Sequence, residues 1–79
     1  MPRYYFNHRE CGVLIPDEEG IECDAGSLRQ IAINEARDIM SGEVKQGKLC
    51  LGCRIDVLDE QHKLVLSVPF AEAVAVTGV

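Results

Sequence analysis

The sequence contains no tryptophan, and its aromatic residues are limited to two tyrosines and two phenylalanines. Three of these four stand together at Tyr4, Tyr5 and Phe6. Basic residues are also scarce, because 8 Lys and Arg face 13 Asp and Glu and the formal net charge is −5. Binding the nucleic-acid backbone requires clustered positive charge. The composition therefore argues against a protein with general affinity for DNA or RNA.

Long apolar runs are absent as well. No segment approaches the ~20 apolar residues that span a bilayer, and the first residues lack the apolar core and cleavage site of a secretion signal. We therefore expect a cytoplasmic protein that does not interact with a membrane. The chain has 79 residues, of which 47% are hydrophobic. This length and composition predict a single globular domain over residues 1–79.

The first part of the chain predicts short strands. Polar and aromatic side chains alternate over residues 3–9, and alternation with aromatics is typical of a strand. Val13, Leu14 and Ile15 form a second run, which is expected to pair back as a hairpin. Residues 16–20 have turn chemistry, since Pro fixes φ and Gly admits positive φ. A brief extended segment is expected at residues 21–23.

A single helix is predicted over residues 25–45. Its apolar stripe recurs at helical spacing and comprises Leu28, Ala32, Ala36, Ile39 and Met40. Asp24 or Ser27 can cap its start, and Ser27 followed by Gln30 matches a capping box. Gly47 is expected to end it.

After the helix the period returns to two. Residues 49–57 and 64–70 alternate on either side of a polar turn, which predicts a second hairpin. Pro69 is expected to end strand pairing, and residues 70–74 to form one helical turn. The element order ββαββ predicts an α+β fold, a two-layer sandwich with one helix packed on a mostly antiparallel sheet. Such a sheet leaves one face or an edge open.

Four segments in this order resemble a known family: residues 1–6 (MPRYYF), 16–20 (PDEEG), 35–37 (EAR) and 68–74 (VPFAEAV). The family consists of short bacterial proteins, mainly alphaproteobacterial, and is catalogued as a domain of unknown function. The resemblance implies a stand-alone cytoplasmic protein and supplies no activity or cofactor. Family members commonly carry Asp or Gly near position 11 and Leu or Arg near positions 50 and 53, so the cysteines here depart from the pattern.

The cysteines are the first candidates for chemistry. A Cys-x-x-Cys pair at Cys50 and Cys53, joined by Cys11 and Cys23, offers four zinc ligands. Structural sites usually supply two close pairs, however, and residues three apart on a strand face opposite sides. We therefore expect reduced cysteines without metal. Cys53 is expected to be buried against the helix, Cys50 more exposed with nearby positive charge favouring its thiolate, Cys11 accessible and Cys23 intermediate.

No catalytic arrangement is recognisable, and we do not expect an enzyme. His62 reads as a solvated turn residue, and His8 as a half-buried, hydrogen-bonded ring beside Tyr4 and Phe6. The acidic run at residues 17–19 reads as a solvated turn rather than a cation site. Glu35, at the edge of the apolar stripe, is expected to pair with Arg54 or Arg3.

The remaining candidate is an interaction face on the sheet, formed by Arg3, Tyr5, Asn7, Arg9 and Arg54. These side chains suit an acidic partner protein or a second copy of the chain. The favoured function is therefore a non-catalytic interaction or regulatory module that self-associates as a homodimer or binds another protein. The alternative is a small RNA-binding regulator that stacks bases on the same face, although nucleic acid is not the expected partner.

Overall fold

A computed structural model describes residues 1–10 and 12–78. Its elements follow the predicted order, and the extended segment expected at residues 21–23 and the helical turn expected at 70–74 are both present. They are β1 (Arg3–Glu10), β2 (Val13–Ile15), β3 (Ile21–Glu22), a 3-10 turn (Ala25–Ser27), α1 (Leu28–Lys45), β4 (Arg54–Leu58), β5 (Leu64–Pro69) and α2 (Phe70–Ala73).

The strands form one antiparallel sheet in the order β2-β1-β4-β5, with β3 pairing β1 on the same side as β2. β1 is the longest strand and joins the N-terminal hairpin to the C-terminal one through its pairing with β4. Five strands and one main helix confirm the predicted α+β class.

Helix α1 packs on the sheet through the predicted stripe. Leu28, Ala32, Ala36 and Met40 are buried, and the two alanines allow the helix axis to approach the sheet closely. The helix ends at Lys45, where Gly47 has φ +84° and donates its N–H to the Val44 carbonyl. This end was predicted from the position of Gly47.

The start of α1 differs from the prediction. Ser27 Oγ lies 3.2 Å from Asp24 Oδ1, and Ser27 provides no side-chain cap to the helix. The expected capping box is therefore wrong. A 3-10 turn precedes the helix instead, and the Ser27 N–H donates to the Asp24 carbonyl, so the chain enters α1 through a tighter backbone turn.

The core lies between α1 and the sheet. The largest fully buried side chains come from β4, β5, the segment before β4 and the start of α2: Ile55, Val57, Val68, Cys53 and Phe70. The predicted phase of both C-terminal strands is thus correct where they cross the helix. Arg37 Nε also donates to the Ala73 carbonyl at 2.8 Å, which ties α1 to the short helix α2.

Strand β4 begins at Arg54, five residues later than predicted. The preceding segment is a loop and turn, and the buried side chain of Glu43 helps to hold it there. Glu43 Oε1 accepts the Cys50 N–H at 3.4 Å, and its carbonyl accepts the Lys48 N–H at 3.0 Å. Backbone groups bonded to a helix in this way are not available to a sheet, so alternation of side chains alone overextended the strand.

Strand β5 departs from simple alternation near its start. Val57 pairs with Leu66, but Leu58 pairs with Leu64, so a bulge absorbs one extra residue. Leu64 was predicted on the apolar side with Val68. It lies instead beside Leu58 and is 60% exposed, because the extra residue in the bulge turns the Leu64 side chain to the opposite face of the sheet. Pro69 still pairs with Arg54, so pairing continues one residue further than expected.

Candidate functional site: the open face of the sheet

Helix α1 covers one face of the sheet, and none of the helices in the described ranges lies on the other, which we call the open face. Residues directly opposite each other on neighbouring strands point to the same side of a sheet. The register therefore places three rows of side chains across the open face. They are the arginine row (Leu14, Arg9, Arg54, Pro69), the central row (Asn7, Asp56, Ser67) and the aromatic row (Tyr5, Leu58, Leu64).

Asp56 organises the middle of the open face. Its Oδ1 accepts hydrogen bonds from Arg54 Nε at 2.9 Å and from Ser67 Oγ at 2.8 Å. Its Oδ2 lies 3.3 Å from Arg9 Nε. The carboxylate is buried beneath these partners, whereas both arginine side chains remain about half-exposed. Two guanidinium groups share one carboxylate, so this end of the face carries a local excess of positive charge.

The aromatic row is extended by a residue from the β4–β5 turn. The rings of Tyr5 and His62 stack with centroids 5.4 Å apart and an interplanar angle of 23°. His62 has φ +61°, and Asp59 Oδ1 fixes the turn by accepting the N–H groups of Gln61 and Lys63, both at 2.9 Å. His62 is exposed as predicted, but its stacking on Tyr5 was not foreseen.

Asp17 anchors the acidic turn to the edge of β1. Its Oδ2 accepts the Phe6 N–H at 3.2 Å and its Oδ1 accepts the Gly20 N–H at 3.1 Å. In return, the Asp17 N–H donates to Asn7 Oδ1 at 2.9 Å. The turn thus fills the gap along β1 between the residues that pair with β2 and those that pair with β3. The solvated-turn prediction fits the exposed Glu18 and Glu19 but is wrong for Asp17.

A half-open groove of about 460 Å³ lies between this turn and the β4–β5 turn. Its floor and apolar wall come from Tyr5, Leu58 and Pro16, and its polar lining from Asn7, Asp17, Glu18 and His62. Carboxylates beside an aromatic ring form a surface that favours a cationic group. The open face is therefore positive at the arginine row and acidic at the opposite end.

The predicted interaction face is largely one surface. Tyr5, Asn7, Arg9 and Arg54 share the open face, although Asn7 is buried and supports the acidic turn rather than presenting a contact. Arg3 lies at the beginning of β1, where its guanidinium donates to Glu22 Oε1 at 2.7 Å and to the Glu19 carbonyl at 2.6 Å. Its role is to hold β3 and the acidic turn.

The cysteines occupy unequal positions. Cys53 is 1% exposed in the core and Cys50 is more exposed than Cys53, as predicted, but Cys50 is half-buried and also packs against the core. Cys23 is 8% exposed, so the intermediate exposure predicted for it is wrong. Burial raises the pKa of the Cys23 thiol, and the charge of Asp24 raises it further. Cys11 lies outside the described residues.

The described residues contain no group of three or more His, Cys, Asp or Glu side chains placed to hold a metal ion. Cys50 and Cys53 flank a turn, so the strand geometry used to argue against their joint ligation does not apply to Cys50. Cys53 nevertheless packs into the hydrophobic core.

Glu35 does not form the predicted ion pair, since Arg3 bonds to Glu22 and Arg54 to Asp56. The prediction is wrong because Glu35 lies close to carboxylates instead. Burial raises the pKa of Glu35, and the charges of Asp17 and Asp38 raise it further.

His8 is half-buried as expected, and its ring stacks on Phe70 with centroids 5.4 Å apart. The predicted hydrogen bond is not formed by its Nε2, for which the described residues offer no partner at hydrogen-bond distance. Glu10 Oε2, at 3.9 Å, lies within ion-pair range but beyond that of a hydrogen bond.

Residues 3–71 match the model of a family described as a domain of unknown function, DUF6894. The chain belongs to this family. The match covers every strand and the whole of α1 in the DUF6894 fold. No curated protein and no solved structure matches the chain. None of the described helices is both long enough and apolar enough to cross a membrane.

Proposed function

We propose that this DUF6894 chain is a cytoplasmic, non-catalytic protein-interaction module that self-associates as a homodimer through the open face of its sheet. The observation that carries the proposal is the uncovered face itself, which combines exposed apolar side chains, Leu14 and Leu64, with the paired Arg9 and Arg54. Interfaces of this kind mix apolar contacts with arginine and aromatic side chains. A domain of this size gains stability from further burial.

The edges of the sheet are less suitable for association than its face. Phe6 donates its N–H towards the side of β1 on which β2 lies, and backbone groups alternate in direction along a strand. His8 and Glu10 therefore also direct their backbone groups towards β2, where they face Ile15 and Val13. This leaves Leu14 as the one residue of β2 whose N–H and C=O point away from β1, and the next such position is Pro16, which has no N–H. The outward edge of β5 likewise ends at Pro69. Short strands with proline at the edge disfavour the addition of a partner strand.

RNA binding through the same face is the weaker alternative. Arg3 pairs with Glu22, and Arg9 and Arg54 share Asp56, so only one of these three positive charges is left uncompensated, too few to hold a run of phosphates. His62 covers one side of the Tyr5 ring, whereas RNA-binding sheets offer two or three aromatic rings to successive bases. These contacts favour a protein partner over a nucleic acid.

Sedimentation equilibrium at micromolar concentration tests the proposal. The wild-type chain is expected to sediment as a dimer, and Leu64→Glu to weaken the dimer at least tenfold by placing a charge in the aromatic row. Val44→Glu is the matched control, because Val44 is exposed to the same extent (59% against 60%) on α1, away from the open face. A wild-type monomer, or a dimer broken by Val44→Glu and not by Leu64→Glu, contradicts the proposal.

A further inference from the structure

We infer that the two copies pack with their open faces antiparallel, so that Arg9 of each copy enters the acidic groove of the other. The inference rests on the proposed self-association and adds the orientation, the groove as receptor and a guanidinium group as its ligand.

The distribution of charge along β1 is the first step. Arg9 stands in the arginine row and Tyr5 in the aromatic row, four residues or about 13 Å apart along the strand. Arg9 shares Asp56 with Arg54, whereas Tyr5 lines a groove with Asp17 and Glu18. The face is thus positive at one end and acidic at the other.

Symmetry is the second step. Two copies of one surface that pack face to face are related by a two-fold axis lying in the plane of the interface. An axis parallel to the strands would place the arginine row of one copy on that of the other, which brings like charges together. An axis across the strands, through the central row of Asn7, Asp56 and Ser67, exchanges the two ends. Charge complementarity therefore selects the second arrangement.

The groove suits a guanidinium group in both shape and chemistry. It is half-open, with a volume of about 460 Å³, and it combines the Tyr5 ring with the carboxylates of Asp17 and Glu18. Each Asp17 oxygen already accepts one backbone N–H, and a carboxylate oxygen has a second lone pair for a further donor. Glu18 is exposed at the rim of the groove, where it is available to an arriving cation.

The size of the open face limits the strength of the dimer. Four neighbouring strands, about 4.8 Å apart, and the eight residues of β1, at about 3.3 Å each, give the face an area of roughly 500 Å². Interfaces of standard size bury about 800 Å² on each partner, and weak or transient ones bury less. We therefore expect a dimer of moderate affinity.

Charge reversal distinguishes this arrangement from other dimers. We expect Glu18→Arg to weaken the dimer at least tenfold by placing two cations together, and Arg9→Glu to do the same by opposing two acids. The double variant Glu18→Arg/Arg9→Glu is expected to recover most of the wild-type affinity. Glu19→Arg is the control, since Glu19 is in the same exposed turn but does not line the groove. Dimerisation should also weaken with added salt.

Arg9→Glu places an acid beside Asp56, so its fold is checked by circular dichroism, and Arg9→Gln replaces it if the fold is lost. With Arg9→Gln, the expected result is a weaker dimer with a reduced salt dependence. If the chain dimerises and Leu64→Glu disrupts it, but both charge changes at Arg9 and Glu18 leave it intact, the antiparallel arrangement is overturned and the proposed function stands. A monomeric wild type overturns both.

Discussion

Replacing Asp17 with alanine is expected to remove a large part of the stability of this domain. The Asp17 carboxylate accepts the Phe6 N–H at 3.2 Å and the Gly20 N–H at 3.1 Å, both partly buried. Hydrogen bonds to a charged group contribute about 1.5–3 kcal/mol each, and partial solvent access places these near the lower limit. We therefore expect Asp17→Ala to lower the free energy of unfolding by about 3 kcal/mol. A domain of this length has about 4–12 kcal/mol in total.

Urea denaturation followed by circular dichroism measures this effect, since the chain has no tryptophan to report on unfolding. With an m-value near 1 kcal/mol per molar urea, the midpoint is expected to fall by about 2–3 M at a fixed protein concentration. Glu19→Ala is the control, because Glu19 is exposed in the same turn and only its carbonyl bonds to Arg3. A loss below about 0.5 kcal/mol for Asp17→Ala, or an equal loss in the control, would refute the role assigned to the Asp17 carboxylate.

Five further substitutions, at Glu35, at two glycines and at two cysteines, test other parts of the structure by the same denaturation measurement. The folded protein has a raised pKa at Glu35 and so binds that proton more readily than the unfolded chain. The free energy of unfolding should therefore fall as the pH rises through this raised pKa. Glu35→Gln should remove this fall and add a few tenths of a kcal/mol at pH 7. If Glu35→Gln gives no gain in stability, the electrostatic argument is contradicted. Gly42→Ala, with open space around the new Cβ in α1, should add about 0.5–1 kcal/mol, whereas Gly20→Ala should destabilise because φ is +73° and the Cβ would lie 2.9 Å from a backbone oxygen. Cys53→Ser should lower the free energy of unfolding by about 1–3 kcal/mol, because it places a hydroxyl in the apolar core, whereas Cys50→Ser should change it little. Large and equal losses of stability in both variants would instead support the zinc alternative.

Periodicity in the sequence predicted the elements that form the core. Four of the five predicted stripe residues of α1 are buried as expected and Ile39 is half-buried, and the inward positions Ile55, Val57 and Val68 are buried as well. Each element can bury only one set of side chains against its neighbour, so the spacing of apolar residues determines which set it is.

The limits of β4 and β5 depend on interactions that periodicity does not encode. The loop before β4 is held by Glu43, seven residues before Cys50 in the chain, and an acidic residue near a helix end gives no signal of that contact. The bulge that exposes Leu64 follows from the register between two strands. Both features are decided by pairing in three dimensions rather than by local composition.

The candidate site was predicted only in part, because some of its contacts join residues that are far apart in the sequence. Alternation along β1 placed Tyr5, Asn7 and Arg9 on one side of the sheet, and the structure confirms it. Asp56 was not selected, because its importance comes from cross-strand partners, Arg9 on β1 and Ser67 on β5. Asp17 had a partial signal, since an Asp directly after the Pro of a Pro-to-Gly turn commonly bonds its own backbone, but its bond to Phe6 spans eleven residues.

The net charge of −5 gives a misleading picture of the open face, because several of the acids serve the fold. Asp17, Glu43 and Asp59 accept backbone N–H groups, and Asp56 accepts hydrogen bonds from Arg54 and Ser67 and forms an ion pair with Arg9. A carboxylate used in this way is partly neutralised where it stands, so the overall charge does not measure what a partner meets at a given surface. On the open face an excess of arginine lies at one end and the exposed Glu18 at the other. An acidic protein can therefore attract a second copy of itself, provided that the two copies meet in opposite directions.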